Sequence, residues 1–115
     1  MSITVAPVGN SRILSVGTYR PKRVVPNSEI VDRIDSTDEW IVQRTGIESR
    51  RFAEDDETVI SMAKAACEIA LKRAKLTIAD IDTVILSTIS YPFQAPSAAT
   101  ELINELGNPK AAAFD

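Results

Sequence analysis

Residues 83–115 read TVILSTISYPFQAPSAATELINELGNPKAAAFD, and the order of signals in this stretch decides the fold class. Thr83 to Thr88 is apolar and β-branched, as a strand buried on both faces would be. Pro96 or Ser97 then opens a helix in which Ala99, Leu102, Ile103 and Leu106 keep helical register, and Gly107 closes it. Lys110 to Asp115 begins a further strand. A strand, a helix and a strand in succession point to an α/β fold with a mostly parallel sheet covered by helices.

Upstream the same alternation continues. Thr58 to Lys75 is a long helix, because Val59, Met62, Ala63, Ala66, Cys67, Ala70 and Ala74 fall on one stripe. The stripe is rich in small residues, so the helix should approach its neighbour closely. Lys64, Glu68 and Lys72, spaced i,i+4 on another face, should be solvated. Thr77 and Asp80 suggest a cap over a brief turn. Ser36-Thr37-Asp38-Glu39 reads as a capping box, with Ser36 and Glu39 as its two partners. The short helix it starts carries Trp40, Ile41 and Arg44 and stops at Gly46 in a left-handed conformation. Asn27 offers a cap to a preceding helix with Ile30, Val31 and Ile34 as its apolar stripe. Arg12 to Gly17 reads as the first strand. A parallel sheet that ends within its third strand is not a finished domain, so residues 1–115 are expected to be part of a larger one.

Composition narrows the function classes. The 115 residues are 44% hydrophobic and 25% charged, which fits a globular chain rather than a disordered one. Apolar runs fall short of a bilayer span, so no membrane partner is expected. Met1 to Asn10 lacks the basic-then-apolar pattern of a secretory signal, and one cysteine makes no internal disulfide, so the expected location is cytoplasmic. Residues 1–51 hold 8 Lys/Arg against 6 Asp/Glu, too weak a positive balance for a nucleic-acid partner.

Spacing alone yields no catalytic constellation. The chain has no histidine, which removes Ser-His and Cys-His pairs from these residues. Cys67 sits mid-helix on the small apolar stripe, far from a group that would lower its pKa, and reads as structural. Glu54-Asp55-Asp56-Glu57 lacks the spacing of a calcium loop and reads as a solvated lead-in to the long helix, so no metal is expected. Trp40 and Arg44, at i and i+4, project from one helix face. They form either a flat platform with a cation for a heteroaromatic base and its phosphate, or a cation–π lid on the core. The spacing by itself favours the lid.

Asp35-Ser36-Thr37-Asp38-Glu39-Trp40-Ile41-Val42-Gln43-Arg44-Thr45-Gly46-Ile47, followed by Arg50-Arg51, resembles the N-terminal signature of β-ketoacyl-acyl-carrier-protein synthase III. Three further stretches agree in order: Ser15-Val16-Gly17-Thr18-Tyr19-Arg20-Pro21, Glu57-Thr58-Val59 and Pro96-Ser97-Ala98-Ala99. The closing Ala113-Phe114-Asp115 fits as well. The resemblance implies the thiolase fold, of which residues 1–115 would be the first part of the N-terminal half, stopping before the nucleophile helix. It also implies a decarboxylating Claisen condensation of an acyl group, taken from acyl-CoA, with malonyl-acyl-carrier protein to start fatty-acid synthesis.

The family's catalytic cysteine, histidine and asparagine have no counterpart here, so the resemblance assigns no catalytic residue, and acyl-CoA enters as substrate rather than cofactor. It assigns Ser36, Trp40 and Arg44 to CoA binding, with Trp40 stacking on the adenine, and so reverses the preference for a lid. Phe93 and Ala95 fall in the loop that forms the acyl pocket and dimer interface. The expected partners are acyl-CoA, malonyl-acyl-carrier protein, the remaining C-terminal portion and a second copy in a homodimer. Where some members have phenylalanine before the proline, this chain has Ala95, which implies room for longer or branched primers. A priming ketosynthase of polyketide synthesis and a non-catalytic acyl-CoA-binding module remain alternatives.

Overall fold

The computed structural model describes residues 9, 11–92 and 94–115. The readings placed on Phe93 and on most of Met1 to Asn10 lie outside the described residues. Eight elements follow in order. They are β1 (Arg23–Pro26), α1 (Val31–Ile34), α2 (Asp38–Thr45), β2 (Ser49–Phe52), α3 (Val59–Ala74), β3 (Thr83–Ile85), α4 (Ala98–Leu106) and β4 (Ala112–Phe114). Single 3-10 turns stand at Asn27–Glu29 and Ile78–Asp80.

The β3–α4–β4 unit is the parallel module expected of residues 83–115. Thr83, Val84 and Ile85 stand opposite Ala112, Ala113 and Phe114. Ser97, in extended conformation, caps α4 by accepting from the Thr100 amide, and Gly107 ends it at φ 89°. Asp115 adds a second set of acceptors, taking the Ala98 and Ala99 amides at 2.7 and 2.6 Å. The end of β4 is thereby pinned to the start of α4. Ile60, Ala98 and Leu102 form the buried cluster, with Ala63, Cys67, Val84, Leu86 and Leu106 packed around it. The core therefore sits where α3 and α4 cover β3 and β4.

β3 departs from expectation on one face. Val84 turns into the cluster, but Ile85 is 76% exposed. Among the described residues helices cover a single side of the strand pair, so the apolar residues that point the other way are exposed. Ile13, Ile89 and Phe114 are exposed too. The radius of gyration of 19.1 Å exceeds the roughly 13 Å of a compact domain this long.

The long helix forms as read. Its capping box joins Thr58 and Ser61, each side-chain oxygen accepting the other's amide, and Lys75 stops it in the left-handed region. A second box joins Thr77 and Asp80. Of the three charges read as solvated, Glu68 and Lys72 are exposed, while half-buried Lys64 pairs with Glu105 of α4 at 3.1 Å.

Arg12 to Gly17 is not a strand. No neighbouring strand is offered to it among the described residues, and it lies instead along α3. The Ser15 hydroxyl donates to Ala70 O at 2.7 Å, and Arg73 Nη1 donates to Val16 O at 2.6 Å. Beside them Gly17 passes so close to α3 that a Cβ would stand 1.9 Å from Ala66 O. Here the small stripe of α3 makes its close approach.

Two further readings change. Asn27 does not cap a helix with its side chain; it starts a 3-10 turn, and α1 is one turn long. A strand pair absent from the sequence reading brings β1 and β2 together antiparallel, with Val25 opposite Arg50. Serine and two arginines in four residues hide β2 from any apolar alternation.

Candidate substrate-binding site

The first candidate group stands on α2. The helix is capped by Thr37, not Ser36: Thr37 is extended and its Oγ1 accepts from the Trp40 amide at 3.2 Å. Ser36 and Thr37 both have a hydroxyl with acidic residues following, so the local pattern fits two registers. Left-handed Asp35, which ends α1, leaves Ser36 between the two helices. The Ser36 hydroxyl is buried without a hydrogen-bond partner among the described residues. Gly46 ends α2 at φ 69°, as expected.

Trp40 is 54% exposed, and Arg44 Cζ lies 5.4 Å from its ring centroid. The cation–π contact is made, yet the indole is no lid on the core; its neighbour Ile41 is the residue of α2 that is buried. The result is an aromatic plate at the surface with a flat cation against it. Such a pair suits a π-faced, negatively charged ligand.

Behind this plate is a buried polar hub that sequence reasoning missed. Asn27 is 1% exposed. Its Nδ2 donates to Asp38 Oδ1 at 2.6 Å and to Ile47 O at 2.8 Å, while Arg50 Nη2 donates to its Oδ1. Arg50 Nη1 also points to Val25 O at 3.4 Å. No short-range signal marks partners 11 to 23 positions away.

Glu57 corrects the reading of the acidic run. Rather than being solvated it is 6% exposed. It accepts from the Tyr19 hydroxyl, from the Lys22 amide at 3.1 and 3.2 Å and from the Glu54 amide at 2.9 Å. The Tyr19 hydrogen bond, helped by these amides, holds its carboxyl below the ordinary glutamate range although desolvation acts upward. The same bond raises the Tyr19 hydroxyl. Lys22 also pairs with exposed Asp56 at 2.7 Å, which lowers the Asp56 carboxyl. Glu57 thus fastens residues 19–22 to the start of α3.

The second candidate group is the β3–α4 connection. Ala95 is exposed and lines an open hollow of about 530 Å³ with Pro96, Ile103, Pro109, Ala111 and Ala113. Trp40 stands on α2, whereas Ala95 stands in the connection before α4. Cys67 is half-buried against the core cluster, and burial, with Glu68 nearby, pushes its thiol up, away from nucleophilic use. Among the described residues no cluster of three metal-ligating side chains occurs, and no helix is long and apolar enough to cross a membrane.

No family model matches the chain. Solved structures do match, and they define the class. The chain superposes on the priming β-ketosynthase of the R1128 polyketide pathway with a TM-score of 0.87 and 44% identity, covering 100% of this chain and 34% of that one. It superposes on the 3-oxoacyl-[acyl-carrier-protein] synthase III of Aquifex aeolicus with a TM-score of 0.84 and 37% identity, covering 92% and 34%. The fold is that of the thiolase-like condensing enzymes, as the signature on α2 implied.

Curated relatives narrow this further. Identity is 51% over 105 residues to β-ketoacyl-[acyl-carrier-protein] synthase III 1 of Streptomyces avermitilis, covering 91% of this chain and 30% of that protein. It is 53% over 103 residues to the mycobacterial β-ketoacyl-[acyl-carrier-protein] synthase III of Mycobacterium tuberculosis, covering 90% and 31%. The chain is homologous to a segment of β-ketoacyl-acyl-carrier-protein synthase III, and spans about a third of the length of these relatives.

Proposed function

We propose that the chain is the CoA-binding and dimer-interface segment of a ketosynthase III, an acyltransferase that condenses acyl-CoA with malonyl-acyl-carrier protein. On this reading the nucleophilic thiol and the groups that stabilise the decarboxylating enolate come from polypeptide outside these residues. Histidine is absent from these residues, and burial, with Glu68 nearby, raises the Cys67 thiol.

The observation that carries the reading is the exposed indole of Trp40 with Arg44 against it. The indole offers a face to the adenine, and the guanidinium offers charge to the nucleotide's phosphates. The Ser36 hydroxyl joins them only if its side chain turns outward from the buried position it holds. On this reading Ala95 borders the acyl pocket, in the loop that meets a second copy of the chain.

Stacking of a base on an aromatic side chain contributes about 1–3 kcal/mol, so Trp40→Ala should raise KM for acyl-CoA about 5- to 150-fold. The test uses the complete enzyme and compares acyl-CoA with acyl-pantetheine, which has the thioester arm but no nucleotide. A loss confined to acyl-CoA is expected. Equal losses on both substrates, or none, would refute the assignment.

A priming ketosynthase of polyketide synthesis is the second reading, favoured by the 44% identity to the R1128 enzyme. Both readings place the same chemistry on the same residues.

A further inference from the structure

α2 is only eight residues long, too short to hold its position by its own hydrogen bonds. Its anchorage must come from neighbours, and Ile41 is its single buried residue. Asn27 supplies what the helix lacks. One amide group reaches the first residue of α2, Asp38, and also the carbonyl of Ile47, the residue that follows the Gly46 cap. Both ends of the helix therefore hang on a single side chain. The Asn27 main-chain N–H adds a third tie, donating to Glu48 O at 3.2 Å.

The hub is built so that only asparagine fits. Asp38 and the Ile47 carbonyl are acceptors and demand the two N–H groups, whereas Arg50 is a donor and demands the oxygen. Arg50 belongs to β2, paired with β1 at Val25, so the hub also ties α2 to the strand pair. At 1% exposure Asn27 sits in a site of low dielectric, where a satisfied network is rigid and a broken one is costly.

We propose that Asn27 is a positioning residue for nucleotide binding: by clamping both ends of α2 it sets where Trp40 and Arg44 stand. The inference rests on the reading of Trp40 and Arg44 as the CoA wall. Buried at 1% exposure, Asn27 acts through the helix. Asn27→Asp preserves shape but sets a carboxylate against Asp38 and the Ile47 carbonyl, so it should push α2 off its seat.

The experiment measures kcat and KM in the complete enzyme on acyl-CoA and on acyl-pantetheine, with a melting curve for each variant. Asn27→Asp should raise KM for acyl-CoA about tenfold, with kcat and the acyl-pantetheine KM within about twofold of the parent. Asp38→Ala removes the strut at its exposed end, so it reports the same effect should Asn27→Asp fail to fold. A folded variant of either kind with unchanged KM for acyl-CoA, or with equal losses on both substrates, overturns the proposal. Trp40→Ala serves as the reference. If it leaves acyl-CoA KM unchanged, the nucleotide wall itself is wrong, whatever Asn27 does.

Discussion

Gly17→Ala tests the close approach of residues 15–17 to α3. The added Cβ would stand 1.9 Å from Ala66 O and 2.6 Å from Ala70 N, both main-chain atoms of α3 that no rotamer change can move aside. Reaching even 3.0 Å from the Ala66 oxygen requires the two segments to part by about 1.1 Å. If residues 15–17 move as one body, the 2.7 Å Ser15–Ala70 and 2.6 Å Arg73–Val16 hydrogen bonds stretch past bonding range. Losing two such bonds costs about 0.5–1.5 kcal/mol each, and overpacking adds about 1–3 kcal/mol. The expected destabilisation is about 2–6 kcal/mol. Urea unfolding of the complete enzyme, followed by circular dichroism, measures it, and Gly9→Ala is the control because a Cβ there meets nothing within 4 Å. A Gly17→Ala midpoint matching the parent, within about 0.5 kcal/mol, would show that the segment does not lie on α3 as described.

Two further outcomes follow from the site. Ala95→Phe should shift the complete enzyme toward acetyl-CoA and depress turnover of longer acyl-CoAs at least about tenfold, since each displaced methylene matters by about 1–3 kcal/mol; an unchanged chain-length profile excludes a pocket role for Ala95. Glu57 has its folded pKa depressed chiefly by the Tyr19 hydroxyl, so its contribution is present above the unfolded glutamate value and is lost as pH falls through the folded one. Tyr19→Phe should therefore flatten the loss of stability on the acid side of about pH 4.5, read as unfolding midpoint against pH; Asp56 and Asp80, also depressed, continue to titrate in both proteins and set the baseline. An acid limb of the same steepness in the variant would remove Glu57 from the account.

What the sequence determined alone is what short-range interactions decide. The start of α4 at Ser97, the left-handed stop at Gly46, the end of α4 at Gly107 and the stripe of α3 depend on residues within four positions of one another. The strand, helix and strand of residues 83–115 were each legible for the same reason, with their alternation implying the parallel pairing, and the string from Asp35 to Ile47 is distinctive enough to name the family. At Ser36 and Thr37 the capping-box pattern chose Ser36, whereas the structure caps α2 with Thr37 after the left-handed turn at Asp35. Tertiary structure decided everything that needs a distant partner. Glu57 looks like its acidic neighbours until Tyr19 and Lys22 enclose it, and Asn27 looks like a cap until Asp38, Ile47 and Arg50 gather around it. Arg12 to Gly17 has strand chemistry, but pairing is a property of two segments, and this one meets a helix. Trp40 and Arg44 share a helix face by spacing alone, whereas the exposure that separates a ligand platform from a core lid belongs to the packing of α2.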